Sequence, residues 1–215
     1  MTTVADKVKI NNALISCHDK TGLKYFAAEL VKLNPEAKVY CSSGTFNELK
    51  KAVAAANLVE ISEYTGTREM PAGLVKTLHP KIHAGILADL DDNEQKKYLE
   101  DSKAVAFDLV VVNLYPFAAA ADAGSVEKAR TNVDIGGVSL IESAAKNFLR
   151  VAVVVSPVDY EKVLEEMKKN SGCGIDTRLR LAKAAMGYLS AYIGNISDYY
   201  DRLTTAAVKK EFKVE

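Results

Sequence analysis

The sequence predicts an α/β fold built on a doubly wound, mostly parallel sheet. Short apolar runs alternate along the chain with stretches whose apolar residues recur at helical spacing. Two of the runs, residues 108–113 and 150–155, are rich in valine and apolar on successive positions, which is typical of strands covered on both faces. This β-α-β-α order favours parallel strands with helices on both faces of the sheet.

Each strand of the predicted sheet is a short apolar run, and each predicted helix has an apolar face. The predicted strands are, in chain order, residues 13–17, 38–41, 58–61, 108–113 and 150–155. The predicted helices are residues 21–33, 46–55, 157–169 and 178–192. In the first helix, one face carries Leu23, Phe26, Ala27 and Leu30, so we expect it to pack on the sheet.

The chain is expected to form a single domain over residues 1–215, with a core at about 10–170 and C-terminal helices at about 176–212. Residues 170–175 include glycine and serine, so they predict a hinge between these two parts. The C-terminal helices are expected to pack on the core.

The composition excludes several classes of protein. Lys+Arg and Asp+Glu balance at 28 each, so nothing in the net charge predicts a nucleic acid or membrane partner. The N-terminal residues lack the apolar segment of a secretory signal, and the longest apolar run is too short to span a bilayer. The 3 cysteines are widely spaced, which predicts a reducing cytoplasm and neither a disulfide framework nor a zinc site.

Polar residues follow the predicted strands at the points where those strands end. His18 and Lys20 follow the first strand, residues 42–45 follow the second, and Asn113 ends the fourth. In open α/β sheets a ligand lies beyond these carboxyl ends. The first two segments also lead into helix N-termini, which favour an anion, so together with Lys20 and Lys76 they predict a phosphate site. The alternative for the second segment is that Ser42 and Thr45 cap a helix.

The segment 76–87 mixes lysines, a hydroxyl and two histidines with apolar residues and has no clean period. His79 precedes a proline, so residues 76–79 should be a loop. Lys76 is then a candidate functional cation, with a solvated lysine as the alternative. His79 and His83 are four residues apart, but Pro80 begins any helix there and His79 lies off its face, so we expect no metal site.

A second candidate segment begins at Asp134, where a loop runs into a predicted helix. Asp134 can accept a proton or cap this helix. Lys146 follows Glu142 by four residues, which on the sequence alone is typical of a solvated surface pair. Tyr115 is either a hydroxyl donor or an aromatic wedged beside a proline. Cys17 and His18 are adjacent on a strand and point to opposite faces, so they predict a buried structural cysteine and no catalytic dyad.

Together these segments resemble the inosine monophosphate (IMP) cyclohydrolase domain of the bifunctional purine biosynthesis enzyme. The matching strings are residues 19–23, 42–45, 65–66 with 69–70, 75–87, 113–117, 134–138 and 144–147. The resemblance runs from about residue 13 to residue 200 and implies a fold like that of methylglyoxal synthase. The second domain of the family, a formyltransferase, has no counterpart in this sequence.

The resemblance implies an enzyme that closes the ring of 5-formamidoimidazole-4-carboxamide ribonucleotide to give IMP and water, with no cofactor and no metal. Lys76 would stabilise the charge that develops on the formyl oxygen, and Asp134 would orient or deprotonate the carboxamide. Lys146 and Tyr115 would transfer protons. The residues implied in substrate binding are His18, Lys20, Thr21, Ser42, Ser43, Gly44, Thr45, Thr77, Asn113, Ile135 and Gly136.

The resemblance also bears on partners. It implies a purine-pathway mononucleotide as the ligand, a possible homodimer and a separate formyltransferase partner. Where the family often has an arginine this chain has Leu74, and where the family often has an arginine before the downstream lysine it has Glu142. These differences motivate an alternative, a catalytically weak domain that senses purine nucleotides. A methylglyoxal synthase relative is disfavoured because the chain contains no Gly-Asp dipeptide.

Overall fold

The fold is described from a computed structural model over residues 4–68, 70–71 and 74–214. Glu69, which belongs to one string of the resemblance, lies outside these residues. The strands are β1 (Lys7–Val8), β2 (Asn12–Cys17), β3 (Lys38–Cys41), β4 (Leu58–Glu60), β5 (Leu109–Asn113), β6 (Ala152–Val154) and β7 (Cys173–Gly174). The helices are α1 (Leu23–Leu33), α2 (Ser43–Leu49), α3 (Ile61–Thr65), α4 (Pro80–Leu87), α5 (Asn93–Asp101), α6 (Phe117–Asp122), α7 (Val126–Thr131), α8 (Ile135–Lys146), α9 (Tyr160–Asn170), α10 (Ile175–Arg202) and α11 (Thr205–Glu211).

The main sheet has five strands in the order β4-β3-β2-β5-β6, and every neighbouring pair is parallel. The chain fills one half of the sheet from β2 outwards to β4 and then crosses to β5 and β6 on the other side. The direction of winding therefore reverses between β2 and β5, and their carboxyl ends form the switch point at which such sheets bind ligands. The predicted doubly wound parallel sheet is confirmed.

Alternate side chains of the strands enter two separate hydrophobic cores, one on each face of the sheet. In β2, Ala13 and Ile15 pack in the core that includes α1 and α9, whereas Leu14 packs in the core that includes α4, α8 and α10. All three side chains are fully buried. This explains why the strands are apolar on successive positions.

Several predicted boundaries are wrong, among them the end of the second helix, which lies at Leu49 and not at residue 55. The second helix begins at Ser43, three residues before its predicted start, because the backbone N–H groups of Thr45 and Phe46 already bond the Ser42 carbonyl. Ile61, predicted as the end of a strand, begins α3. Residues 157–159 form a separate 3-10 turn before α9, and the Ser156 side chain caps this turn.

The segment at residues 170–175, which was predicted to be a hinge, is tied to the N-terminal strand in this structure. Cys173 and Gly174 of β7 pair antiparallel with β1. The guanidinium of Arg178, which is fully buried, donates hydrogen bonds to main-chain carbonyls of Ala5, Asp6, Phe148, Leu149 and Cys173. The C-terminal part of the chain is thus anchored where a hinge was expected.

The C-terminal helix α10 runs from Ile175 to Arg202 and is much longer than the predicted 178–192. It packs against α8, β6 and α6, so the expected packing of C-terminal helices on the core is confirmed. Among the helices of the described residues, α10 included, none is both long and apolar enough to cross a membrane.

Candidate active site

A cavity opens at the switch point, where β2, β3 and β5 end. Five segments meet there: the loop after β2, the start of α2, the loop before α4, the loop after β5, and the segment that leads into the start of α8. The predicted residues that line it are His18, Lys20, Ser42, Gly44, Thr45, Lys76, Thr77, Asn113, Tyr115, Asp134, Ile135 and Gly136. Further lining residues, which sequence reasoning did not select as ligands, are Ser16, Cys17, Leu74, Val75, Thr131, Val133 and Gly137.

Three hydroxyl groups form a cluster at one wall of the cavity. Ser16 Oγ lies 3.1 Å from Ser42 Oγ, which lies 3.3 Å from Thr45 Oγ1. Thr45 Oγ1 also accepts a hydrogen bond of 3.2 Å from the Cys17 N–H. Ser42 stands at the N-cap position of α2, but its hydroxyl group makes no capping hydrogen bond. The alternative that the Ser42 side chain caps this helix is therefore wrong.

The loop after β2 is held by the side chain of Asn113. Its Oδ1 accepts from the Asp19 N–H at 2.7 Å, and its Nδ2 donates to the Asp19 carbonyl at 2.8 Å. The hydroxyl and N–H of Thr21 both donate to the Asp19 carboxylate, which lowers the pKa of that group. The Thr21 side chain is thereby used within the turn and does not line the cavity. Lys20 Nζ donates to the His18 carbonyl at 3.3 Å.

His18 and Cys17 lie at the end of β2 and differ in exposure. The His18 ring is exposed and meets the ring of Tyr115 edge-on, with centroids 5.3 Å apart. Cys17 is buried, and burial raises the pKa of its thiol to about 12. A thiol that stays protonated is a poor nucleophile, so the expectation of a structural Cys17 holds.

Asp134 is the N-cap of α8, and its Oδ1 accepts from the Gly137 N–H at 2.7 Å. Burial raises the pKa of its carboxyl group, while the Gly137 N–H and the positive charge of Lys76 oppose this shift. The capping interpretation is therefore confirmed. A carboxylate with a raised pKa also binds a proton more readily than an exposed one, so capping leaves the catalytic interpretation open.

The side chain of Tyr192, on α10, fixes the main chain in front of α8. Its hydroxyl accepts from the Asp134 N–H at 2.8 Å and donates to the Asn132 carbonyl at 3.1 Å. One turn earlier, the Tyr188 hydroxyl accepts from the Leu114 N–H at 3.1 Å. Sequence reasoning missed this pair, although two tyrosines four apart on a helix are a detectable signal.

The loop before α4 brings Lys76 and Thr77 to the cavity. Thr77 is only 2% exposed, and its Oγ1 lies against Gly136 at the start of α8. Val75 has φ of 68°, a left-handed conformation that is unusual for a β-branched residue. The neighbouring Leu74 and Val75 side chains are exposed at the mouth of the cavity.

Besides Thr21, two predicted site residues are not brought to the cavity. Helix α8 is continuous from Ile135 to Lys146, so Lys146 lies roughly 16 Å along the helix axis from its start, at about 1.5 Å per residue. Lys146 is exposed there and does not line the cavity. Ser43, in the first turn of α2, does not line it either.

In the described part of the chain, no group of three or more histidine, cysteine, aspartate or glutamate side chains could hold a metal ion.

Comparisons with known proteins agree with the resemblance read from the sequence. Residues 22–139 match the family model of the MGS-like domain, and residues 144–215 match that of the AICARFT/IMPCHase bienzyme. The bifunctional purine biosynthesis protein PurH of Neisseria meningitidis serogroup A is 43% identical over 198 residues, which are 91% of this chain and 37% of that protein. The chain thus spans little more than a third of that relative's length. The resemblance to the bifunctional enzyme is confirmed.

A solved structure is similar as well. The crystal structure of ForH superposes with a TM-score of 0.74 at 27% identity, covering 89% of this chain and 100% of that chain. The match to the MGS-like domain confirms the predicted methylglyoxal-synthase-like fold class.

Proposed function

We propose that this chain, which belongs to the MGS-like domain family, is an IMP cyclohydrolase. It would close the ring of 5-formamidoimidazole-4-carboxamide ribonucleotide to form IMP and water. The observation that carries the proposal is that Lys76 and Asp134 face one cavity, close enough for the lysine charge to lower the pKa of the carboxyl group, with hydroxyl groups clustered at another wall.

The first step joins the carboxamide nitrogen to the formyl carbon of the same molecule. Asp134 accepts a proton from the carboxamide, whose nitrogen is otherwise a weak nucleophile. As the new C–N bond forms, negative charge grows on the formyl oxygen, and the Lys76 ammonium stabilises it. Because burial raises the pKa of Asp134, its carboxylate is a stronger base than an exposed aspartate.

The oxyanion then takes the proton held by Asp134, which gives a carbinolamine, and the second step removes water from it. The hydroxyl group leaves with a proton supplied by an acid, and the ring nitrogen returns its own proton to the base that this acid leaves behind, which completes the aromatic ring. Tyr115 lines the cavity and its ring is held against His18, so its hydroxyl is the proposed proton donor. We leave Lys146 outside this mechanism because it lies at the far end of α8.

The ribose phosphate is proposed to occupy the wall formed by the hydroxyl cluster. Ser42, Gly44 and Thr45 lie at the start of α2, with Lys20 nearby on the loop after β2. Small residues let a phosphate approach the main chain closely, and Lys20 supplies positive charge. Asn113 contributes by holding this loop through both ends of its carboxamide.

The cellular setting is part of the same proposal. Cys17, Cys41 and Cys173 are free and buried, which is consistent with a reducing cytoplasm. A formyltransferase supplied by a separate chain, and a homodimer of this chain, are the proposed partners.

The proposal is tested by incubating the purified protein with the formylated carboxamide ribonucleotide and following purine absorbance against a control without enzyme. Rapid closure is expected. Lys76→Ala should lower kcat by about 10²–10³-fold, the cost of losing one oxyanion partner. Lys209→Ala, at an exposed lysine of α11, is the matched control and should leave kcat unchanged. Tight IMP binding without turnover by the wild-type protein would contradict the proposal and favour the nucleotide-sensing alternative.

A further inference from the structure

His83 links the loop that carries Lys76 to helix α8. It lies in α4, directly after this loop, and its Nδ1 is 3.1 Å from the Ser143 hydroxyl of α8. The other ring nitrogen, Nε2, is buried and has no hydrogen-bond partner among the residues that the structure describes. Buried polar atoms without a partner are uncommon, and each one calls for an explanation.

The main chain of Thr77 lies near the His83 ring. Burial lowers the pKa of His83, and the smaller influence of the Thr77 main chain raises it, so the ring is neutral at physiological pH. A neutral imidazole carries one proton. When the Ser143 hydroxyl donates to Nδ1, this proton is on Nε2, the buried nitrogen that has no partner among the described residues.

The loop before α4, which carries Lys76, is buried at its Thr77 end and exposed at its Leu74 end. Thr77 is buried, whereas Leu74 and Val75 are 56% and 55% exposed at the cavity mouth. The positive φ of Val75 adds backbone strain, which persists only where the surroundings impose it. A ligand in the cavity would contact the same loop through Lys76 and Thr77.

We propose that His83 is a positioning residue whose Nε2–H donates to the Thr77 carbonyl when a purine mononucleotide fills the cavity. This bond fixes Lys76 and Thr77 against the substrate. The inference rests on the proposed function, since it assigns a role in the same site. Hydrogen bonds of this kind are often long without ligand and tighten in the complex.

Two substitutions separate this role from simple packing. His83→Gln places an amide N–H near the position of Nε2, and His83→Asn places its amide near the position of Nδ1. We expect His83→Asn to lower kcat roughly tenfold or more, because displacing a catalytic group by about 1 Å can cost ~10²-fold. His83→Gln should recover most of that loss, and KM should change less than kcat. Equal losses in both variants, or a larger loss in His83→Gln, would show that only the Ser143 contact matters and overturn the proposal.

A second readout does not depend on turnover. In protein labelled with ¹⁵N-histidine, IMP should produce one imidazole N–H signal that exchanges slowly with water, and His83→Gln should remove it. The chain has 3 histidines, so the signal is readily assigned. Its appearance in a protein that binds IMP without turnover would retain the positioning role and reject the cyclohydrolase. Its absence in the wild-type protein saturated with IMP would overturn the positioning role.

Discussion

Thr77 and Gly136 touch across the cavity. A Cβ atom added at position 136 would lie 2.5 Å from Thr77 Oγ1, well inside the closest approach of real atoms. The loop that presents Lys76 therefore reaches the start of α8 only because residue 136 has no side chain. This contact joins the two parts of the proposed site that carry its charged groups.

Gly136→Ala should impair turnover much more than stability. The methyl group would push Thr77 and Lys76 away from Asp134, and such a displacement can lower kcat/KM by ~10–100-fold. The gain of about 1 kcal/mol in helix propensity partly offsets an overpacking cost of about 1–3 kcal/mol. Steady-state kinetics and urea unfolding measure the two effects separately.

Gly187→Ala is the matched control for this prediction. Gly187 is exposed on α10, and a Cβ there would meet nothing within 4 Å. We expect this variant to be more stable by about 0.5–1 kcal/mol with unchanged kcat. If Gly136→Ala behaves in the same way, the contact with Thr77 does not constrain the site.

Asp134→Asn should abolish catalysis while α8 stays capped. Asparagine caps helices as well as aspartate does, and loss of a general base costs about 10²–10⁴-fold in rate. In the wild type, kcat should fall on the acid side as the pH drops through the pKa of Asp134, which burial places above its ordinary value. The variant's residual rate should lack this dependence.

The raised pKa of Asp134 also affects the stability of the folded protein. Because the pKa of Asp134 is raised in the folded protein, its contribution to stability is fully present below the unfolded value of about 3.9 and is lost as pH rises through the folded pKa. Asp134→Asn should therefore be at least as stable as the wild type at pH 7 and lose this advantage on acidification. Asp92 caps α5 and has a lowered pKa, so Asp92→Asn should show the opposite trend. Urea unfolding at both pH values compares the two variants.

Much of the fold could be predicted because its strands are local apolar runs bounded by polar turns. The central strands lie within a residue of their predicted limits. The long connection between β4 and β5 could not be predicted in the same way, because its helices α3, α4 and α5 are short and its segment 76–87 has no period. The far end of α10 was missed since its face is less uniformly apolar, with Ile193 and Tyr200 exposed.

The site could be predicted where its residues sit together in short motifs at strand ends, as Ser42 and Thr45 do. Contacts between residues that are distant in the sequence could not be predicted. The hydrogen bond between Tyr192 and Asp134 joins residues 58 apart, and that between His83 and Ser143 joins residues 60 apart. No local spacing encodes such pairs. Lys146 gave the opposite error. It belongs to a motif of the family, but it lies at the far end of α8 from the cavity.

Tyr192→Phe should weaken both stability and turnover. It removes the acceptor for the Asp134 N–H and the donor to the Asn132 carbonyl, so we expect a loss of about 1–2 kcal/mol in the free energy of unfolding. Because the Asp134 main chain loses its anchor, kcat should also fall severalfold. Tyr188→Phe is the control. Tyr188 lies on the same helix as Tyr192, and this variant removes only the hydrogen bond from the Leu114 N–H. An equal effect of both variants on kcat would mean that Tyr192 supports the fold and does not position Asp134 for catalysis.

Cys17 should be inert although it lines the cavity. Burial raises the pKa values of Cys17 and Cys173 to about 12 and that of Cys41 also well above its ordinary value, so none of these thiols is ionised at pH 8. We expect iodoacetamide to leave the native protein unmodified and to alkylate all three cysteines in urea, as measured by intact mass. Cys17→Ala should keep its kcat and lose about 1 kcal/mol of stability from the small cavity created. Native alkylation at Cys17 accompanied by loss of turnover would instead place a reactive thiolate in the site and require a covalent mechanism.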